Sequence, residues 1–346
     1  MYSTPHISIY NERVRVNGKP VSDILLTTSF SRINKARQDT SLSYFEFGTL
    51  AALDIFASQK VDIQILEVGL GGRLDAVNIV DANATLISSI SVDHIDWLGD
   101  DLQKIALEKA GVFRTDQTAV CGDKTVPTSL IDYAKKLGTD LVLAGHDFDF
   151  NVEDNGWRLI AENSFAGHYP LPSLKGAHQI QNASAVINLL AQIQSDIPVT
   201  KQNVEFGLQH VFLKGRLQQA NSAPDIFLDV AHNEESANAL AEFLKTKNCQ
   251  GDVHAVFSIL EDKQLDKVVQ PFIGLVDQWH IAPLNTARTL SVSNLHRFLT
   301  NDSAQNCLVY NSIQLAFEGA KHVVKKEDLV ICFGSFYVVE ACLEAL

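Results

Sequence analysis

The chain lacks a long apolar run, a targeting segment and a disulfide framework. No run reaches the ~18 apolar residues that a membrane-spanning helix needs, which argues against a membrane protein. The first ten residues, MYSTPHISIY, contain neither a basic patch nor an apolar signal core. The five cysteines are odd in number and form no C-x-x-C pair, so we predict reduced thiols and a cytoplasmic protein.

An excess of positive charge is also absent. The 28 Lys and Arg residues are outnumbered by 41 Asp and Glu residues, which gives a net charge of −13. Nucleic acid requires a basic face, so we exclude it as a partner. Small anionic substrates remain possible, because they require only a few local cations.

Apolar periodicity predicts two α/β domains with mostly parallel sheets. A polar, proline-containing stretch, QQANSAP, follows Arg216 closely, and we place the boundary between residues 217 and 218. The first domain is predicted to contain a hairpin turning at Asn17-Gly18, helices 43–58, 101–111, 127–137 and 178–194, and strands 61–68, 84–92, 119–121 and 141–144. The second is predicted to contain strands 225–230, 253–257, 278–282, 308–310 and 329–333, helices 234–245, 265–273, 291–299 and 313–323, and a helix to the end.

The segment LEVGLGGRLDAVN (Leu66–Asn78) contains a glycine cluster after a predicted strand. A dinucleotide-binding fingerprint requires a small residue at its sixth position, where this chain has Leu74. Glu67 would also place a carboxylate beside the pyrophosphate and repel it. We therefore disfavour a Rossmann oxidoreductase. A plain glycine turn after a buried strand is the simpler alternative.

A carboxylate at the end of a strand can bind a cation, since open α/β sheets bind ligands at that edge. The next predicted strand is followed by Asp93, His94 and Asp96. If the two strands are neighbours, Glu67 and His94 converge on one Mg²⁺. Alternatively, His94 lies in a loop and Asp96 caps a helix. Spacing alone favours neither interpretation.

A series of short blocks extends along the whole chain. They are YSTPHI (Tyr2–Ile7), ERVRVNG, SLSYFEFGTL, LEVGLGGRLDAVNIV, SVDHIDWLG, EKAGVFR, GAHQIQNASAV, GRLQ, LDVAHN, SILEDK and CFGSF. Together, and in this order, they resemble the bacterial bifunctional dihydrofolate synthase/folylpolyglutamate synthases, a branch of the Mur ligase superfamily.

This resemblance implies a central ATPase domain at residues 1–217 and a C-terminal, Rossmann-like glutamate-ligase domain at residues 218–346. It also implies a monomer whose site lies in the cleft between the domains. ATP would phosphorylate a substrate carboxylate, the amine of L-glutamate would attack the acyl phosphate, and phosphate would leave. The implied acceptors are dihydropteroate and reduced folates.

The resemblance also implies residue roles. Thr4, Glu67, His94 and a carbamylated Lys109 would hold Mg²⁺ at two sites. Gln179, Asn182, Arg216 and Asp229 would bind ATP, and Phe45, Asp75, Ala76 and Ser335 would bind substrates. Lys109, Arg216 and His232 would be catalytic.

The chain departs from the family in one respect: it contains no G-x-x-x-x-G-K-[ST] phosphate loop. We therefore expect a truncated chain in which the first strand, the loop and its helix are missing, exposing apolar surface on the N-terminal sheet and impairing catalysis. Two alternatives remain open: a non-catalytic remnant that binds folate or nucleotide, and another Mur-type amide ligase.

Overall fold

A computed structural model describes residues 1–93, 95–302 and 306–346. The chain divides into two compact units. The first contains Met1–Glu153, Arg158–His168 and Ser184–Lys201; the second contains Asp154–Trp157, Tyr169–Ala183 and Gln202–Leu346. The division predicted between residues 217 and 218 stays a prediction.

The helices and strands alternate along most of the chain. The α-helices are α1 (Asp23–Arg37), α2 (Tyr44–Gln59), α3 (Ile95–Leu98), α4 (Leu102–Ala110), α5 (Thr128–Leu137), α6 (Ala177–Gln192), α7 (Lys201–His210), α8 (Glu234–Lys247), α9 (Leu265–Val269), α10 (Val292–Arg297), α11 (Ile313–Val323) and α12 (Phe336–Glu344). The strands are β1 (Arg15–Val16), β2 (Lys19–Pro20), β3 (Ala84–Ile87), β4 (Thr118–Cys121), β5 (Asp140–Leu143), β6 (Phe148–Glu153), β7 (Gly156–Ala161), β8 (Gly167–Tyr169), β9 (Gln218–Ser222), β10 (Asp225–Leu228), β11 (Val253–Phe257), β12 (Gln278–Ile281), β13 (Cys307–Val309) and β14 (Leu329–Phe333). Shorter helical turns occupy Tyr10–Arg13, Ala76–Ile79, Gln270–Phe272 and Phe298–Asp302.

The first unit contains a parallel sheet of order β3-β4-β5. Helix α4 begins at its cap Asp101, whose side chain accepts from the Gln103 N–H, and is followed by Gly111. Its buried residues Ile105 and Ala106 pack with Leu130 of α5 in one apolar cluster against the sheet. The helices and strands of this region were predicted within one residue at each end, except that β3 ends at Ile87 and not at the predicted residue 92.

A second apolar cluster lies under the N-terminal segment. Helix α2 begins with a capping box in which Ser43 and Glu46 satisfy each other's backbone N–H groups. Its buried residues Ile55 and Phe56 pack with Tyr2, which is also fully buried. The short hairpin β1–β2 turns at Asn17-Gly18, as predicted, with both residues at positive φ.

The prediction of a buried strand over residues 61–68 is wrong. This segment forms a single parallel bridge, between Leu66 and Tyr2. Ile63 and Ile65 are 49% and 59% exposed. Alternating apolar residues favour a strand, but they form one only when a neighbouring backbone supplies a ladder of hydrogen bonds. Tyr2 supplies only two such bonds: its N–H donates to the Ile65 carbonyl, and its carbonyl accepts from the Glu67 N–H.

The second unit is built on a six-stranded sheet of order β13-β12-β11-β14-β10-β9. Only the β9–β10 pair is antiparallel. One face carries a large apolar core that includes the fully buried side chains of Phe257, Trp279 and Phe333. Because β14 lies between β10 and β11, the segments that follow these three strands emerge side by side. Strands β11 and β14 and helix α11 begin and end where predicted.

Several elements were not predicted. The stretch interpreted as a polar break is strand β9, which pairs with β10 at the edge of the sheet. Helices α1 and α7 and the separate sheet β6-β7-β8 were also missed. Polar residues can occupy an edge strand because one of its sides remains in solvent, so periodicity gives little signal there. In the described ranges, no helix is long and apolar enough to cross a membrane.

Candidate active site

Thr4 and Glu67 lie side by side, as the metal-site prediction requires. The Thr4 N–H donates to Oε2 of Glu67 at 2.9 Å, and the Glu67 N–H donates to the Tyr2 carbonyl at 3.0 Å. Glu67 is exposed at the end of its extended segment. This contact uses the backbone N–H of Thr4, and the role of its hydroxyl as a Mg²⁺ ligand stays a prediction.

The glycine-rich loop after Glu67 is organised by Asp75. Its Oδ2 accepts from the Gly69 and Leu70 N–H groups, both at 2.9 Å, and its Oδ1 accepts from the Val77 N–H at 3.0 Å. The ring of Phe45 lies directly on Gly69, so a Cβ there would be 2.7 Å from the ring. Phe45, Asp75 and the half-buried Ala76, all predicted to contact substrate, thus belong to one local structure.

The same loop packs against the end of α4, which carries Lys109. A Cβ at Gly72 would lie 2.8 Å from the Glu108 carbonyl, so only glycine permits this approach. Arg73 forms an ion pair with Glu108 at 2.9 Å. Lys109 is half-buried and lies near Cys121 at the end of β4. Burial raises the pKa of Cys121 to about 11, and the Lys109 ammonium opposes that rise.

His94, the second predicted metal ligand, lies outside the described residues. Throughout the part of the chain that the structure describes, no three His, Cys, Asp or Glu side chains gather closely enough to hold a metal ion. The structure therefore brings together Thr4 and Glu67, and leaves the pairing of Glu67 with His94 a prediction.

In the second unit, Asp229 fixes the loop that carries Arg216. Its Oδ2 accepts from the Leu217 N–H and its Oδ1 from the Ala231 N–H, each at 2.8 Å. The Val230 N–H donates to the Gly215 carbonyl at 2.9 Å. Gly215 and Leu217 both have positive φ, so the backbone turns sharply on each side of the exposed Arg216.

Asp229 is 8% exposed, and burial raises the pKa of its carboxyl. The Leu217 N–H, the Arg216 guanidinium and the Ala231 N–H oppose this rise. Both carboxylate oxygens of Asp229 thus accept hydrogen bonds from the backbone on either side of this turn. The role of Asp229 as a nucleotide ligand stays a prediction, and its hold on the backbone beside Arg216 was not predicted.

The first turn of α6, which carries the predicted nucleotide-binding residue Gln179, lies near Arg216, because His178 interacts with the Arg216 guanidinium. Gln179 and Asn182 are three residues apart and therefore share one face of the helix. The Gln179 amide contacts Nε2 of His178 at 3.0 Å. Desolvation lowers the pKa of His178, and the Arg216 guanidinium lowers it further. His178 was not predicted, and its position directly before Gln179 was the only available signal.

His232 and Ser335 follow β10 and β14 at the carboxyl edge of the sheet. Nδ1–H of His232 donates to the Val230 carbonyl at 2.7 Å, which fixes the ring. Ser335 caps α12 and is 5% exposed. A Cβ on the preceding Gly334, at φ +107°, would lie 2.2 Å from the Ser258 carbonyl. The turns after β10, β11 and β14 are thus packed together.

These features define a nucleotide-dependent ligase of the Mur type: an α/β unit with a glycine-rich loop beside Glu67, and a second whose sheet edge presents Arg216 and Asp229. Residues 215–336 match the family model described as Mur ligase, glutamate ligase domain. The Escherichia coli dihydrofolate synthase/folylpolyglutamate synthase is 36% identical over 346 residues, covering 100% of this chain and 79% of that protein. The Haemophilus influenzae protein of the same name is 34% identical, covering 98% of this chain and 80% of its own length.

Solved structures agree with this relationship. The E. coli FolC structure in complex with DHPP and ADP superimposes with a TM-score of 0.92 and covers 99% of this chain and 80% of that one. A bifunctional folylpolyglutamate synthase/dihydrofolate synthase with Mn, AMPPNP and L-glutamate bound gives a TM-score of 0.90 at 38% identity, covering 99% of this chain and 81% of that one.

The chain belongs to the dihydrofolate synthase/folylpolyglutamate synthase family. It is an ATP-dependent glutamate ligase by that membership, and the predicted fold class is confirmed. The alignment covers the whole of this chain and 79% of the E. coli protein, and the predicted truncation stays a prediction.

Proposed function

We propose that the chain joins L-glutamate to dihydropteroate and to reduced folates, as a monomer. ATP transfers its terminal phosphoryl group to the substrate carboxylate, which releases ADP. The glutamate amine then attacks the acyl carbon, the C–N bond forms, and phosphate leaves with the electrons of the C–O bond. The names and bound ligands of the relatives support this choice of substrates.

The observation that carries the proposal is the fixed loop at Arg216. Phosphoryl transfer depends on positioning and charge stabilisation more than on covalent chemistry by the protein. Asp229 holds both sides of this loop through the Leu217 and Ala231 N–H groups. Arg216 is thereby presented as a fork suited to phosphate oxygens, and Gln179 and Asn182 contribute amide groups for the nucleotide. His232 and Ser335 complete the edge for catalysis and glutamate binding.

The residues near Glu67 fit a divalent cation. Glu67 offers an exposed carboxylate beside Thr4, and oxygen ligands suit Mg²⁺. We assign two Mg²⁺ sites to this region, with Thr4, Glu67 and His94 as ligands and Lys109 as a carbamate, which replaces a cation by an oxygen donor. The metal would neutralise charge on the nucleotide phosphates. Phe45, Asp75 and Ala76 form the proposed wall for dihydropteroate.

The test is ADP release by the purified chain with ATP, Mg²⁺, L-glutamate and either dihydropteroate or a reduced folate. The proposal predicts turnover that requires both glutamate and the pterin compound. Equilibrium binding of dihydropteroate, followed by its absorbance, provides a second readout. Turnover with muramyl peptides but not folates contradicts the proposal, as does the absence of both turnover and dihydropteroate binding.

A further inference from the structure

Asp123 is a buried carboxylate in the turn that follows β4, outside the set of predicted site residues. It is 9% exposed. Its Oδ2 accepts from the Ile90 N–H at 2.8 Å, and its Oδ1 accepts from the Thr125 N–H at 2.7 Å and from the Thr125 hydroxyl at 2.8 Å. Both oxygens are thus engaged, and this one side chain links the segment after β3 to the turn after β4.

The two linked segments leave the sheet at the same edge, because β3 and β4 are parallel neighbours. The Gly122 N–H extends their ladder by donating to the Ile87 carbonyl at 2.8 Å. A Cβ at Gly122 would lie 2.9 Å from the Ser88 carbonyl, so the two segments are in close contact there. Three residues after Ile87, the side chain of Asp123 binds the Ile90 N–H in place of a strand partner.

The hydrogen bond between Asp123 and Ile90 is enclosed by protein, since Ile90 is itself buried. A carboxylate that accepts from an N–H forms a charge-assisted bond, which is stronger than a bond between neutral groups. Losing it would leave a buried backbone donor without its acceptor, which is costly. The two donors of Thr125 also restrict rotation of the carboxylate. The backbone position at Ile90 is therefore fixed by Asp123.

The segment that Asp123 holds leads to a predicted metal ligand. His94 follows Ile90 by four residues in the sequence. At the same edge of the sheet, burial raises the pKa of Cys121, two residues before Asp123, and the nearby Lys109 ammonium opposes this rise. Asp123 therefore lies near one proposed ligand and holds the segment that leads to another.

We propose that Asp123 is a positioning residue for the Mg²⁺ centre and acts through the backbone of Ile90. It sets the point at which the segment after β3 leaves the sheet, and thereby the course of the chain that carries His94. The carboxylate does not touch the metal, because its three hydrogen bonds occupy both oxygens. This inference rests on the proposed function, which assigns Mg²⁺ to that ligand set. Groups that orient metal ligands contribute strongly to metal affinity.

Asp123→Asn tests the proposal, because the amide keeps the size of the carboxylate but accepts hydrogen bonds with one oxygen only. Mn²⁺ is the probe; it is added to the full chain with ADP, and free Mn²⁺ is followed by EPR. The variant should bind Mn²⁺ about tenfold more weakly than wild type. In turnover, the Mg²⁺ concentration for half-maximal ADP release should rise by a similar factor, and saturating Mg²⁺ should restore most of the rate. The KM for dihydropteroate should stay unchanged.

Two further variants separate positioning from a general effect on folding. Asp147→Asn is the matched control, because Oδ2 of Asp147 accepts from the Leu143 N–H at 2.7 Å at the end of β5, in the same sheet. It should bind Mn²⁺ as tightly as wild type. Thr125→Val removes one donor to Asp123 and should weaken Mn²⁺ binding in the same direction as Asp123→Asn, but less.

The proposal is overturned if Asp123→Asn binds Mn²⁺ as tightly as wild type, if saturating Mg²⁺ does not restore its rate, or if Asp147→Asn loses as much affinity. Should Asp123→Asn fail to fold, unchanged Mn²⁺ binding by Thr125→Val overturns it. Any of these results leaves the proposed function standing, provided that wild type turns over dihydropteroate. If wild type neither turns over dihydropteroate nor binds Mn²⁺, the proposed function fails, and this inference fails with it.

Discussion

A row of polar side chains, three buried and one half-buried, crosses the C-terminal sheet and should make its stability depend on pH. Nδ1 of His254 contacts Nε2 of His280 at 3.1 Å, and Nδ1 of His280 contacts the Tyr310 hydroxyl at 3.1 Å. At the other end, Nε2 of His254 lies 3.9 Å from Oδ2 of Asp328. His280 is fully buried between strands and helix, so its charged form is disfavoured.

The magnitude follows from the pKa of His280. Burial, and then the nearby His254, lower this pKa from 6.5 to about 4. Between these two values the unfolded chain binds a proton that the folded chain does not, so unfolding becomes easier as the pH falls. The contribution is fully present above pH 6.5 and is lost by about pH 4. At about 1.4 kcal/mol per pH unit, His280 accounts for about 3 kcal/mol.

His280→Gln is the informative variant, because glutamine retains hydrogen-bonding groups but does not titrate. The free energy of unfolding of both proteins is measured between pH 7 and pH 4 by urea titration, followed by tryptophan fluorescence. As the pH falls, the free energy of unfolding of wild type should decrease by about 3 kcal/mol more than that of His280→Gln. Carboxylates titrate alike in both proteins and cancel in this difference. His322→Gln, at an exposed histidine of α11, is the matched control. Parallel pH profiles for wild type and His280→Gln would refute the reasoning.

Three further predictions concern the candidate site. Arg216→Ala should slow ADP release by a factor corresponding to several kcal/mol, measured as kcat/KM, and an unchanged value would contradict its role at the phosphates. Asp229→Asn places an amide N–H against one of the two backbone donors. The KM for ATP should therefore rise and the Tm should fall in the same variant. A change in KM alone would show that Asp229 only binds the ligand. Gly334→Ala should lower the free energy of unfolding, measured with urea, by about 1–3 kcal/mol or more. The cause is the φ of +107° and the crowding of a Cβ against the Ser258 carbonyl. A loss near zero would show that the turn relaxes.

The C-terminal sheet could be predicted because its local signals agree with its tertiary environment. Strand β14 is a fully buried apolar run, strand β11 is apolar and buried apart from the polar His254 and the half-buried Val253, and helices α8 and α11 begin with capping residues, Asn233 and Ser312. Periodicity and caps are local properties, so they can be recognised without knowing the partners. In the N-terminal part, residues 61–68 carry the same strand signal but find only Tyr2 as a partner. Pairing is a property of two segments, and one segment cannot reveal it.

The candidate site divides in the same way. The types and approximate neighbourhoods of Glu67, Lys109 and Arg216 followed from sequence blocks, and the structure places Thr4 beside Glu67. What could not be predicted is the hydrogen bond from the Thr4 backbone N–H to the Glu67 carboxylate. Such choices depend on angstrom-scale backbone positions, which residue identity does not specify. The pairing of Glu67 with His94 and the carbamylation of Lys109 stay predictions.

The acidic residues assigned to ligands share a feature that changes how their variants should be interpreted. Asp75 accepts three backbone N–H groups, Asp229 accepts two, and Glu67 accepts one. These bonds hold each carboxylate in place before any ligand arrives, and charge that is already oriented need not be reorganised during reaction. The same bonds make the loops depend on the carboxylates. Removing Asp75 should therefore displace the Gly69–Leu70 backbone that supports Phe45, so a loss of activity there reports on loop geometry as much as on a lost ligand contact.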